Sequence, residues 1–149
     1  METYVLALSL HLLAACVWTG GHLVLALSAL PRALRRRDVG VITQYEELFE
    51  RVGLPALLVQ VGTGLWLAHY RVEDVALWFD FGLPHARPIG YKLILLAATV
   101  ALALHARLRL IPGLDAARLP LLALHIVAVT VLGILFVLVG MNLRLGLGW

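Results

Sequence analysis

The chain has 149 residues, 62% of them hydrophobic and only 14% charged, and its mean hydropathy is +0.93. A water-soluble domain carries about a quarter charged residues, so the composition argues for a membrane protein. The net charge of +3 comes without a Lys/Arg stripe or a Gly-rich phosphate loop, which leaves no signature of nucleic-acid or nucleotide binding.

In chain order, the first element is an apolar run over residues 4–30. It is free of charge and long enough to cross a bilayer, which needs about 20 apolar residues. The lone cysteine, Cys16, lies inside it and excludes an internal disulfide or a cysteine-based metal cage. Leu13-Ala14-Ala15-Cys16 resembles a lipoprotein cleavage site, but no basic n-region precedes it and the apolar run continues beyond it. Cys16 therefore reads as a small buried hydrophobe. Pro31 closes the segment, ahead of Arg32, Arg35, Arg36 and Arg37. Residues 39–51 show helical spacing, with Val41, Ile42, Tyr45, Leu48 and Phe49 against Glu46, Glu47 and Glu50. This stretch either lies on the interface or extends the second helix.

The second span covers 52–70, with Pro55 as a kink or first turn. Residues 72–88 mix Glu73, Asp74 and Asp80 with Trp78, Phe79 and Phe81, which predicts a short amphipathic piece with its aromatics at headgroup level. The third span, 89–110, leads into a turn at Pro112 and Gly113. Arg118 and Pro120 open the fourth, 119–143, and Trp149 is expected as an interface anchor. The expected fold is all-α: one transmembrane domain over 1–149, an up-down four-helix bundle. Gly20-Gly21 and Gly62-Thr63-Gly64 are expected to let backbones approach closely.

Eight of the twelve Lys/Arg residues flank the first and third connections: Arg32, Arg35, Arg36, Arg37, Arg51, Arg107, Arg109 and Arg118. The positive-inside rule places these connections in the cytoplasm and both termini outside, in the periplasm if the membrane is a bacterial inner membrane. Lipid is the first partner this implies. No nucleic acid is expected, and assembly into a homo-oligomer is left open.

Each span carries a histidine within it or at its edge: His11 and His22, His69, His105, His125. An ionisable or metal-ligating side chain in hydrocarbon is costly and marks function by default. At a rise of about 1.5 Å per residue, His22, His105 and His125 form an inner group and His11 and His69 an outer one. His11 and His22 are eleven residues apart, close to three helical turns, so they share one face of their helix. One helix offering two ligands on one stripe suits two stacked haems, and imidazole is a common axial ligand. His22 with His105 is the expected inner pair, with His125 able to replace either; His11 with His69 is the outer pair. Lys92 and Arg87 could hold haem propionates. His85 lies in a loop and is expected to be solvated.

Leu10-His11-Leu12-Leu13-Ala14-Ala15 and Val17-Trp18-Thr19-Gly20-Gly21, with the exit Leu30-Pro31-Arg32, resemble the first helix of small CopD-like (copper resistance protein D-like) membrane proteins. Gly62-Thr63-Gly64-Leu65-Trp66 is similar to their second helix. The opening also resembles HemJ-type four-helix proteins, which share a first-helix histidine, here His11, and a lysine-bearing third helix, here Lys92. The first resemblance implies copper handling, the second haem b. Soft ligands for Cu(I) are scarce, with only Met1, Met141 and Cys16 present, while Cu(II) can use imidazole, which leaves an outer copper site at His11 and His69 open. The expected function is therefore a membrane b-type cytochrome with one or two haems, exchanging electrons with a quinone or a periplasmic redox protein, and a candidate haem-dependent oxidoreductase. Copper uptake, delivery or resistance is the alternative, and a non-catalytic assembly subunit a third reading.

Overall fold

The computed structural model describes residues 1–145, so Trp149 lies outside the described residues. Four helices are long and apolar enough to cross a membrane: α1 (Glu2–Arg36), α2 (Gly40–Arg71), α3 (Arg87–Gly113) and α4 (Leu119–Leu145). The described residues contain no strand. The fold is thus the expected all-α bundle, with the chain running up and down. One end carries the start of α1, the 72–86 loop and the end of α4; the other carries the arginine-rich connections.

α1 exceeds its expected span because its proline fails to stop it, whereas α3 ends in a single 3-10 turn at Ile111–Gly113, where the turn at Pro112 and Gly113 was expected. Pro31 does not close α1; the helix passes through a π-helical turn at Leu25–Ala29 and continues as Leu30–Arg36. The same device recurs in α3, where a π turn at Ala106–Leu110 precedes Pro112. Proline has no N–H and clashes with the carbonyl four residues back. The wider turn shifts the bonding, with Leu30 N–H donating to Leu25 O and Ile111 N–H to Ala106 O, so the ladder is rephased before each proline arrives. α1 finally ends at Arg37, whose φ of 52° is left-handed. Asp38 Oδ1 accepts from Gly40 N–H at 2.8 Å and starts α2.

The amphipathic stretch 39–51 extends the second helix rather than lying on the interface: α2 runs unbroken through Pro55 for 32 residues. At about 1.5 Å per residue it is about 48 Å long, well beyond a hydrocarbon core of about 30 Å. With the end of α1 it forms a hairpin that projects on the arginine-rich side. There Ile42, Leu119 and Leu122 are the largest fully buried side chains, in one core with Leu25, Leu30, Ala33, Leu110 and Ile126. The π turns contribute Leu25, Ala29 and Leu110 to that core, so they are packed features.

The helices form a curved row. α1 packs on α2, α4 on α3, and α1 with α4 joins the two halves, whereas α2 and α3 barely meet. The one ion pair among the described residues, Arg107 to Glu50 at 2.6 Å, ties α3 to α2 near the arginine-rich end. Both side chains are largely exposed, so the pair contributes at most about 1 kcal/mol.

Two expectations change. Cys16 faces outward and is exposed, not buried. In the 72–86 loop, Trp78 turns inward: its Nε1–H donates to Val72 O at 2.9 Å, and it packs with Val72, Ala86 and Ile89. A buried indole needs an acceptor, and this carbonyl supplies it. Phe79 and Phe81 remain exposed, as expected of headgroup-level aromatics.

Candidate metal centre

His105 closes the regular helical part of α3 immediately before its π turn, and His125 stands on α4 in the second turn after Leu119. The packing of α3 on α4 brings the two rings together. Their centroids are 5.0 Å apart, their planes differ by 17°, and His105 Nδ1 lies 2.9 Å from His125 Nε2. His125 is buried, at 9% exposure. His105 is exposed and lines a shallow outer groove of about 260 Å³ with Ala101, Leu104, Leu108 and Arg109.

The hydrogen bonds fix the proton positions in the neutral pair. His125 Nδ1 is 3.0 Å from Leu121 O. A carbonyl only accepts, so His125 Nδ1 carries the proton and Nε2 a lone pair. His105 Nδ1–H must then donate to that lone pair, leaving His105 Nε2 as the free acceptor. The orientation of a ligating imidazole is commonly set in this way, by a hydrogen bond at its other nitrogen.

The other histidines are held separately. His11 Nδ1 lies 2.9 Å from Gln60 O and 3.1 Å from Thr63 Oγ1. His22 Nδ1 donates to Trp18 O at 3.0 Å, one turn back on α1. Its ring sits 4.4 Å from the Trp18 ring and edge-on to Phe49 of α2 at 5.6 Å. Thr130 Oγ1 reaches the His22 carbonyl at 3.3 Å. His69 and His85 are exposed. Arg87 Nε–H donates to Phe81 O at 2.8 Å, anchoring the loop. Lys92 points at α4, beside Gly140.

The expected pairs therefore do not form. His22 is enclosed by aromatics against α2, while its expected partner His105 is hydrogen-bonded edge to edge with His125. His11 contacts Gln60 and Thr63, more than a turn from His69 on α2. A bis-histidine haem needs two ring nitrogens on opposite faces of a macrocycle, and the two rings that do converge leave no slot between them. The residues that meet do not fit a haem clamp. They do fit a small ion: two imidazoles from neighbouring helices, one fixed and one at a groove. Among the described residues, no group of three or more His, Cys, Asp and Glu side chains converges as a metal site, so the pair stands alone. The signal that could have singled it out is matched depth on consecutive helices joined by a short turn.

Compared with known proteins, the chain matches the family model described as Copper resistance protein D over residues 43–143. That range contains α3 and α4 with His105 and His125, and leaves out His11 and His22. No curated protein and no solved structure matches significantly.

Proposed function

The chain belongs to the copper resistance protein D family, and from that premise we propose that it is an integral membrane protein that handles copper, with His105 and His125 as the contact for the ion. The observation that carries this reading is the 2.9 Å approach of the two imidazole nitrogens inside the matched region. The family match supports copper over haem, and the geometry of the pair supports it independently.

The chemistry follows from the proton positions. His125 Nε2 is already a lone pair, held in place by the Nδ1–H bond to Leu121 O. His105 offers its Nδ1 once its proton moves to Nε2, the nitrogen left free. No proton is lost or gained in that tautomer exchange. Two metal–nitrogen bonds of about 2 Å need the rings to part by about 1 Å. The exposed His105 can move and the buried His125 stays. With two neutral imidazoles and no carboxylate, the pair suits Cu(I), which accepts two-coordinate ligation, over Cu(II), which prefers four ligands in a plane. The arginine-rich connections support an orientation with this end in the cytoplasm and both termini outside. In that orientation the pair lies near the cytoplasmic mouth.

The test is metal analysis and an absorption spectrum of the detergent-purified full chain after loading with Cu(I) under reducing conditions. The proposal expects copper near one equivalent and no Soret band. A Soret band in the protein as isolated, with no copper retained after loading, would overturn it in favour of haem.

A further inference from the structure

At the opposite end of the bundle lies a second polar cluster that the copper pair does not use. All four helices contribute to it. α1 brings His11, α2 brings Gln60 and Thr63, α3 brings Lys92, and α4 brings Gly140. Two glycines make the room. A Cβ on Gly64 would stand 3.0 Å from His11 Cε1, and one on Gly140 would stand 3.2 Å from Lys92 Nζ. α1 and α4 run antiparallel in contact, with Thr130 Oγ1 at the His22 carbonyl and Gly133 against Thr19, so two turns further along Gly140, and Lys92 beside it, stand level with the His11 turn of α1.

The hydrogen bonding of this cluster is incomplete in a specific way. Lys92 has no ion pair or hydrogen bond among the described residues. Gln60 Oε1 is a buried acceptor without a donor among them. His11 Nδ1 faces the Gln60 carbonyl, so it carries the proton and Nε2 is left with a lone pair. A cation in a membrane interior is costly without an anionic partner, and a buried unpaired acceptor costs a further desolvation penalty. The cluster thus presents one strong cationic donor and two neutral acceptors, all without partners.

That combination selects its guest. An anion answers Lys92, as charge-assisted hydrogen bonds to ammonium groups do. A bare anion such as chloride or sulfate would face the two acceptors with nothing to donate. An oxyanion that also carries a hydroxyl satisfies all three. Access is lateral, because Gln60 and Lys92 stand on α2 and α3, the two helices that barely meet. We infer that His11, Gln60 and Lys92 form a binding site for a hydroxyl-bearing phosphate, either free hydrogen phosphate or a lipid headgroup of the phosphatidylglycerol kind.

The experiment is thermal unfolding of the detergent-purified full chain, since a ligand that binds only the folded state raises the midpoint. Hydrogen phosphate is compared with sulfate and chloride at matched ionic strength, and mixed micelles containing phosphatidylglycerol with micelles containing phosphatidylcholine. The midpoint should rise with hydrogen phosphate or with phosphatidylglycerol, and not with sulfate, chloride or phosphatidylcholine. A response to phosphatidylglycerol alone identifies the headgroup, and a response to free phosphate identifies the soluble anion. Lys92→Met should weaken the apparent affinity at least tenfold, while Lys92→Arg should retain it. Gln60→Leu keeps the charge and should also weaken it. Equal responses to sulfate and hydrogen phosphate, no response to any ligand, or an unchanged affinity in both Lys92→Met and Gln60→Leu would overturn the inference.

Discussion

His105→Ala and His125→Ala are each expected to weaken copper binding by more than 100-fold, measured by competition with a chromophoric Cu(I) chelator. Each removes one of only two ligands. Losing a residue that merely supports a ligand lowers metal affinity about 10–100-fold, and losing a ligand from a pair costs more. The two variants differ in a second readout. His125 is buried, so its replacement leaves a void between α3 and α4 and should also lower the unfolding midpoint. His105 is exposed, so its replacement leaves no void and should lower the midpoint less, through loss of its hydrogen bond to His125 alone. His69→Ala and His85→Ala, at exposed positions away from the pair, should bind copper as the unaltered protein does.

The largest expected effect on stability belongs to Gly21→Leu. Gly21 is where α1 meets the extended part of α2. A Cβ there would fall inside the Phe49 ring. Phe49 has little freedom to retreat, because Trp18, His22 and Tyr45 surround it. The Tyr45 hydroxyl also donates to Gly21 O at 2.6 Å, fixing the helices at this separation. Overpacking a close contact costs about 1–3 kcal/mol, and a branched side chain at this contact should reach the upper end. Thermal or denaturant unfolding in detergent should show the loss, and Phe49→Ala in the same chain should restore part of it, because contacting residues are energetically coupled. A variant as stable as the parent would mean that α1 and α2 do not pack as described.

Much of the fold was legible because apolar runs of bilayer length dictate helices. The helix ends were not. Pro31 reads as a stop, yet the π turn before it shifts the hydrogen-bond ladder and the helix runs on to Arg36, and nothing in the local composition announces such a turn. Gly21 and Gly64 do mediate close approach, whereas their neighbours Gly20 and Gly62 face open space. Adjacent residues differ by about 100° around a helix, so the pairs Gly20-Gly21 and Gly62-Thr63-Gly64 mark the contact without saying which glycine makes it.

The histidines teach a related point. The eleven-residue spacing of His11 and His22 does put both rings toward α2, where they meet Gln60 and Phe49. Spacing reports a shared helix face and not what fills it, and ordinary helix–helix packing fills it here. His105 and His125 share no helix, so no periodicity links them. Their meeting depends on the contact between α3 and α4, which only depth and chain order foreshadowed.

The most direct measurement is X-ray absorption of the copper-loaded protein, compared with His105→Ala loaded at the same copper ratio. The account predicts two nitrogen neighbours at imidazole distance, with the outer-ring scattering of histidine, and at most one such neighbour, with the ring scattering halved, in the variant. Copper held through sulfur, or an imidazole pattern unchanged in His105→Ala, would contradict it.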